Sequence, residues 1–320
     1  MTHSLDAHIK MVVKAMIRGR VVPLLGAGVN LCARPEDAVW SRYQSDYLPS
    51  GGELAKHLAE EFYFPDDEVR DLLRVSQYIA VMQGSGPLYG ALRELFDCDY
   101  PPTPLHEFLA NLTPLLREKG HPVRHHQLIV TTNYDDLMER AFQTVGQAFD
   151  VVFYVAEGEQ RGKFLHQPPG ESPRVIERPN EYGGLSLERR PVILKIHGAV
   201  DRTAADQDSF VITEDHYIDY LTHTDISNLV PVTLAATLRR SHFLFLGYSL
   251  RDWNLRVILH RIWGEQKLNW KSWAIQLDPD PIDEEFWRKR GVDILDVRLE
   301  DYVTALRDEV DALPLVGDPS

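Results

Sequence analysis

Val21-Val22-Pro23-Leu24-Leu25-Gly26-Ala27-Gly28-Val29-Asn30 passes from five apolar residues directly into a loop carrying two glycines. An apolar run this short and continuous suits a strand buried on both faces, and the glycines behind it suit a tight turn out of that strand. Runs of the same character recur at 128–132, 151–154, 192–196, 210–213, 243–246, 273–277 and 294–297. Helical spacing appears between several of them. The expected fold class is therefore α/β, a Rossmann-like, doubly wound parallel sheet with helices on both faces and a helical insertion subdomain.

Ahead of the first strand, Leu5, Ile9, Val12, Val13 and Met16 repeat at helical spacing, with Ser4 as N-cap and Gly19 as stop signal. Between the first two strands lie further helical patterns, Leu54, Leu58 and Phe62, then Val69, Leu72, Leu73 and Ile79, punctuated by Pro101, Pro102 and Pro104. The expected division is 1–34 with 126–320 as the α/β domain and 35–125 as the inserted helical subdomain. The Gly-, Pro- and Glu-rich segment 156–190 reads as a loop or hairpin insertion, and a last helix around 303–313 is expected at the sheet edge.

Composition narrows the function. Thirty-four basic against forty-eight acidic residues leave a net charge of −14 over 320 residues, at an ordinary 44% apolar content. The acidic balance disfavours nonspecific contact with nucleic acid, since such affinity comes from Lys and Arg at phosphates. No apolar run approaches the ~20 residues of a membrane span, and the N-terminus lacks the basic stretch and apolar core of a secretory leader. A cytoplasmic protein with no direct nucleic-acid or membrane partner is expected. Cys32 and Cys98, the only cysteines, are both expected as buried thiols in a reducing compartment.

Four of the strand ends carry unusual polar or glycine motifs: the 26–30 loop, Thr131-Thr132-Asn133-Tyr134-Asp135, His197-Gly198 after Lys195-Ile196, and Gly247-Tyr248-Ser249. Ligands of open parallel sheets bind beyond the carboxyl ends of the strands, where strand order reverses, so these motifs are expected to share one crevice. Gly26 and Gly28 suit close approach of backbone to a pyrophosphate, or merely a tight turn. Leu31 stands where the dinucleotide fingerprint would have its third glycine, which disfavours a hydride-transfer dehydrogenase. Asn133 and Asp135 suit holding a ligand amide or water, oriented by Thr131 and Thr132. They also suit capping of the helix marked by Leu137, Met138, Ala141 and Phe142. His197 suits a general base near neutral pH or a structural histidine, and Gly198 would let substrate pass the backbone. Ser249, ahead of the helical stripe Leu255, Ile258, Leu259 and Ile262, suits phosphate or ribose oxygens, or plain capping. His121, His125 and His126 have no Cys or acidic pattern beside them and read as a solvated loop; no metal is expected.

Taken in order, Gly26-Ala27-Gly28, Thr131-Thr132-Asn133-Tyr134-Asp135, Lys195-Ile196-His197-Gly198 and Gly247-Tyr248-Ser249 resemble the sirtuin-like family, in its divergent bacterial branch of NAD-consuming proteins. The resemblance runs from residue 21 to about residue 263. It implies an NAD+ hydrolase that cleaves the nicotinamide N-glycosidic bond to give nicotinamide and ADP-ribose. By position, it implies that Gly26, Ala27, Gly28 and Ser249 hold NAD phosphates and ribose, with Asn30, Thr132 and Gly247 also among the NAD-binding residues. Asn133 and Asp135 would lie beside the nicotinamide ribose and carboxamide, Asn133 placing water. His197 would be the base, taking a proton from that water or from a ribose hydroxyl.

Two departures bear on the alternatives, a protein deacylase or a noncatalytic NAD or ADP-ribose-binding regulator. Two isolated cysteines cannot build the four-cysteine zinc module of sirtuin deacylases. Asn30 stands where that family usually has serine, and the Asp-Phe-Arg element is missing from 31–42. Deacylation is disfavoured on both counts. The branch further resembles antiphage effectors that deplete NAD, whose toxicity requires an off state. Homo-oligomer assembly or a separate sensor is therefore expected, with a HerA-type ATPase as the partner that the resemblance suggests. After Trp263 only two strand patterns and a helix remain, and the helical block is expected to form a subunit contact.

Overall fold

The computed structural model describes residues 2–35, 37–65, 71–202, 207–222, 230–248 and 270–316. Its strands are β1 (Val21–Leu25), β2 (Leu128–Thr131), β3 (Asp150–Tyr154), β4 (Phe164–Gln167), β5 (Arg174–Val175), β6 (Val192–Lys195), β7 (Gly198–Ala199), β8 (Ser209–Phe210), β9 (His242–Leu246), β10 (Ser272–Gln276) and β11 (Val292–Asp296). Nine of them form one sheet in the order β11-β10-β9-β1-β2-β6-β3-β4-β5. From β11 to β3 every pairing is parallel, whereas β4 and β5 extend the edge antiparallel. The 156–190 insertion thus supplies that antiparallel extension. Chain order reverses at β1: β2 lies on one side of it and β9 on the other.

The strands alternate faces with a two-residue period, and both faces are apolar, as a doubly covered sheet requires. Val22, Leu24, Val130, Leu194, Phe243 and Phe245 pack toward α8 (Val232–Arg239) and α9 (Pro281–Arg288). Leu25, Ile129, Ile193, Leu244 and Leu246 pack toward α1 (Thr2–Ile17), α5 (Pro104–Glu118), α6 (Leu137–Thr144) and α10 (Leu299–Asp311). Pro23 sits inside the central strand because the ladder with β2 begins only at Leu24, beyond the residue that lacks an N–H.

A third apolar cluster joins α2 (Gly51–Glu61), α3 (Leu72–Gln83) and α4 (Ser85–Phe96), through Leu54, Leu58, Val75, Ile79, Leu88 and Leu92, to Leu137, Val200, Phe210 and Ile212 of the α/β layer. Ser50 and Glu53 close a capping box at the start of α2, so the chain turns sharply into the helix beside the strand ends. Helix α5 behaves differently from these three: Leu105, Phe108, Leu109, Leu112 and Leu116 belong to the sheet-facing layer.

Three local expectations change. Ser209–Phe210 pairs only with Gly198–Ala199, in a separate two-stranded ribbon, rather than joining the main sheet. Cys98 is exposed; of the two thiols only Cys32 is buried. His126 is buried against Arg117 and Gln147 rather than lying in a solvated loop.

Candidate active site

Strand register brings the motifs together. Leu25 lies beside Leu246 on one side and Thr131 on the other, and Thr131 lies beside Lys195, so β9, β1, β2 and β6 end on one row. The segments that leave that row surround a cavity of about 500 Å³. Ala27, Asn30, Thr132, Asn133, Asp135, His197 and Gly247 line it. Gly26 and Gly28 stand behind the lining, and Ser249 with the helical stripe beyond it lies outside the described residues.

The glycines have a packing cause. Gly26 and Gly28 donate their N–H groups to Leu246 and Gly247 carbonyls at 3.0 and 2.9 Å, so the two loops are stapled together. A Cβ on Gly28 would come within 2.7 Å of the Gly247 oxygen. Gly247 itself has φ +69°, and a Cβ there would lie 2.3 Å from the Val29 nitrogen. The loops interlock so closely that only glycine fits on either side. Gly198, at φ +90°, accommodates the carbonyl of Ser209 across the small ribbon.

Asn133 is buried, its backbone N–H given to Thr131 Oγ1 at 3.0 Å and its side-chain Nδ2 to the Gly26 carbonyl at 3.2 Å. The amide therefore ties the second strand end to the first while lining the cavity. Asp135 does cap the following helix, through Oδ1 and the Leu137 N–H at 3.1 Å, and its other oxygen accepts from Asn30 Nδ2 at 2.8 Å. Thr132 Oγ1 shares a 2.9 Å hydrogen bond with the Tyr248 hydroxyl. Lys195, almost completely buried below the loop, donates to the Asp135 carbonyl and pairs with Glu139 Oε1 at 2.7 Å.

His197 is 6% exposed, and its buried Nε2 has no hydrogen-bond partner among the described residues. Burial alone pushes its pKa down to about 3, because a desolvated imidazolium would have no carboxylate to pair with. The ring meets Tyr217 edge-on at 5.4 Å between centroids. At neutral pH the cavity therefore presents a neutral imidazole. Asp135 is the sole charged side chain among the described lining residues, so the cavity favours a cationic or neutral group over an anion at this end.

Sequence reading missed the wall opposite the strands. Pro49, Gly51, Gly52, Leu54, Leu72 and Phe96 come from the helical block, and Tyr217 comes from α7 (Glu214–Thr222). Nothing in their spacing distinguishes them from core positions. Tyr248 was within reach, since it sits inside one of the four motifs.

A second neutral histidine lies in the supporting layer. Burial lowers His106 to about 4, with Asp135 pulling it up and Lys195 pushing it down; its Nδ1 meets Thr103 Oγ1 at 2.8 Å and accepts from the Thr103 N–H at 3.2 Å. In both histidines the folded pKa lies below the ordinary 6.5, so the unfolded chain binds more protons in that window. Stability is intact above pH 6.5 and falls as pH drops toward 4 for His106 and 3 for His197. Lowering the pH from 7 to 5 is expected to cost about 2 kcal/mol per histidine. Urea unfolding at the two pH values checks this: His106→Gln and His197→Gln should each flatten the pH dependence, and an unchanged slope in both would refute it.

The SIR2-like domain family matches residues 127–295, more than half of the chain. Defense-associated sirtuin 2 of Bacillus subtilis is 26% identical over 300 residues, which cover 90% of this chain and 24% of that protein. The NAD(+) hydrolase ThsA of Acinetobacter baumannii (strain 532279) is 30% identical over 211 residues, 66% of this chain and 35% of that protein. The ThsA of Enterococcus faecium is 26% identical over 256 residues, 79% of this chain and 42% of that protein. The chain thus spans about a quarter to two-fifths of the length of these relatives.

Proposed function

The chain belongs to the SIR2-like domain family, and from that premise we propose that its crevice hydrolyses NAD+ to nicotinamide and ADP-ribose. The observation that carries the reading is the meeting of Asn133 with a neutral His197, whose Nε2 has no hydrogen-bond partner among the described residues, in one cavity whose lone charge, among the described lining, is the carboxylate of Asp135. Such a cavity suits an N-glycoside of a positively charged ring. The C1′–N bond breaks with its electron pair moving onto the pyridinium nitrogen, so nicotinamide leaves neutral and no acid is needed to protonate it. The ribose carries oxocarbenium character, which the Asp135 carboxylate stabilises electrostatically.

Water then attacks C1′. Asn133 places the water, or the ribose hydroxyl that relays its proton. As the new C–O bond forms, the attacking oxygen becomes far more acidic than free water, so even an imidazole held at about 3 accepts its proton and passes it on to solvent. The interlocked 26–28 and 247 loops hold this end of the site rigid, with Ala27, Asn30, Thr132 and Gly247 toward the dinucleotide. Ser249 is assigned to ribose or phosphate by position in the motif.

The names of the relatives, a defense-associated sirtuin and NAD(+) hydrolases, support a role in antiphage defence through NAD depletion. The proposed setting is a cytoplasmic homo-oligomer restrained by a separately encoded partner, an ATPase of the HerA kind or another sensor. The acidic net charge of −14 supports a protein rather than a nucleic acid as that partner. Among the described residues no helix is long and apolar enough to cross a membrane, and no metal-binding group of His, Cys, Asp and Glu is present.

The test is to incubate the purified chain with NAD+, with and without an acylated peptide, and to quantify nicotinamide and ADP-ribose. Equal amounts of both products without peptide are expected. Release that depends on peptide would replace hydrolysis by deacylation, and binding without turnover would make the chain a regulator.

A further inference from the structure

We propose that the cavity at the amino ends of the central strands is a second, noncatalytic ligand site, built for a nucleoside diphosphate. Arg18, Arg20 and Arg240 would hold the anionic head, and an apolar floor would take the ring. The inference goes beyond the NAD reading and does not depend on it.

The cavity measures about 540 Å³, inside the range of roughly 300–1,000 Å³ usual for small-molecule sites. Val21, Leu128 and Ser241 in its lining mark where β1, β2 and β9 begin. The candidate active site lies at the other ends of the same strands. The five residues of β1, at about 3.3 Å each, set the two about 17 Å apart. Val22, Leu112, Leu116 and Leu128 make an apolar floor, none of them more than 4% exposed, and buried Thr113 and His126 add polar groups to it. Arg18, Arg20 and Arg240 are exposed, which sets their charge at the mouth. Glu188 is the only carboxylate among the described lining residues. Three arginines to one carboxylate reverse the balance of a chain whose net charge is −14.

These arginines are not committed elsewhere. Arg34, Arg93, Arg190 and Arg202 each face a carboxylate, whereas Arg18, Arg20 and Arg240 make no ion pair among the described residues. Nor are their side chains needed as helix caps. Cations are favoured at helix C-termini, and α1 and α8 both end here. Yet the Gly19 and Arg20 N–H groups already close the Met16 and Ala15 carbonyls at 2.9 and 3.0 Å, and the Arg240 N–H and the Ser241 hydroxyl close the Thr237 carbonyl. Arg20 is held over the Trp270 ring, 5.2 Å from its centroid, so its head is fixed beside the opening. Uncommitted guanidinium groups around one opening match phosphate oxygens with forked N–H donors. Three of them suit more than one phosphate, and the leucine floor suits a planar body withdrawn from water. A nucleoside diphosphate combines the two.

The test is equilibrium dialysis of the full chain against the diphosphates of adenosine, guanosine, cytidine and uridine, with inorganic phosphate and the parent nucleosides as separate arms. At least one diphosphate is expected to bind with a Kd below about 1 mM, and its two halves at least about tenfold more weakly. Arg20→Ala combined with Arg240→Ala should weaken that diphosphate by about tenfold or more, since each lost charged hydrogen bond is worth about that factor. Both side chains are exposed, so the variant should keep the wild-type urea midpoint. Asn133→Ala, in the other cavity, should leave the binding unchanged. Four diphosphates that all fail to bind overturn the proposal. So does binding that survives the arginine variant or is lost in Asn133→Ala, which assigns it to the crevice. Inorganic phosphate that binds as tightly as the diphosphate reduces the arginines to an anion patch and overturns it too. None of these outcomes touches NAD hydrolysis.

Discussion

Replacing His197 by alanine is expected to lower NAD+ cleavage by 10²–10⁴-fold, the span that loss of a positioned base usually costs. The side chain is buried, yet its Nε2 has no hydrogen-bond partner among the described residues, and its ring contacts are aromatic edges from Tyr217 and Tyr220. Glutamine separates two roles at this position, because its amide can hold a water but cannot take a proton from it. If His197 accepts the proton, His197→Gln is as slow as His197→Ala. If it only orients the nucleophile, His197→Gln recovers much of the rate. Because burial holds the pKa down to about 3, the neutral form persists well below pH 6.5, and no acid limb near 6.5 should arise from this residue. Asn133→Ala should be comparably slow, since it removes both the group facing the cavity and the tie to the Gly26 carbonyl. Nicotinamide release at wild-type rates by either alanine variant, at equal folded concentration, would return that residue to a structural role.

The α/β class was legible because buried parallel strands have to be apolar on both faces. β1, β2, β6 and β9 therefore appear in the sequence as largely apolar runs, each ending at a motif. Their adjacency was legible only in part. Sequence places each motif at a strand end, whereas the row formed by Leu246, Leu25, Thr131 and Lys195 depends on register that no local pattern encodes. The glycines were legible as required and less so in their reason: Gly28 and Gly247 are small because two backbones meet, a nonlocal cause indistinguishable in sequence from room for a phosphate. Asp135 caps the helix, as one of its two sequence readings has it, and its other oxygen accepts from Asn30, a contact across more than a hundred residues that no local pattern announces. The Phe210 segment has the β-branched and aromatic content of a sheet strand but pairs across Gly198 instead, since β3 already covers that side of β6. The wall contributed by α2, α3 and α4 could not be read at all, because residues such as Leu54 and Phe96 serve a core and a cavity together.

A buried ion pair beneath the loop that carries Asn133 and Asp135 should give the second large effect. Lys195 is 1% exposed, and its ammonium donates both to Glu139 and to the Asp135 carbonyl. Lys195→Met removes the cation and strands Glu139, whose carboxyl burial already holds above the ordinary carboxylate range. A loss of about 3–5 kcal/mol is expected, moderated as Glu139 takes up a proton on folding. Proton uptake raises the folded pKa above the unfolded one, so the penalty should shrink as pH falls below the folded value and grow as pH rises. Replacing both partners, Lys195→Met with Glu139→Leu, leaves no uncompensated charge, and most of the stability should return. Activity should not return with it. The double variant still lacks the donor that pins the Asp135 carbonyl, and displacing a loop that carries Asn133 and Asp135 by even about 1 Å is expected to cost on the order of 10²-fold. Urea unfolding and NAD+ turnover measured on the same preparations separate the two effects. If the double variant recovers stability and full turnover together, Lys195 is a stabilising ion pair and nothing more; if stability returns alone, the buried ammonium positions the loop on which cleavage depends.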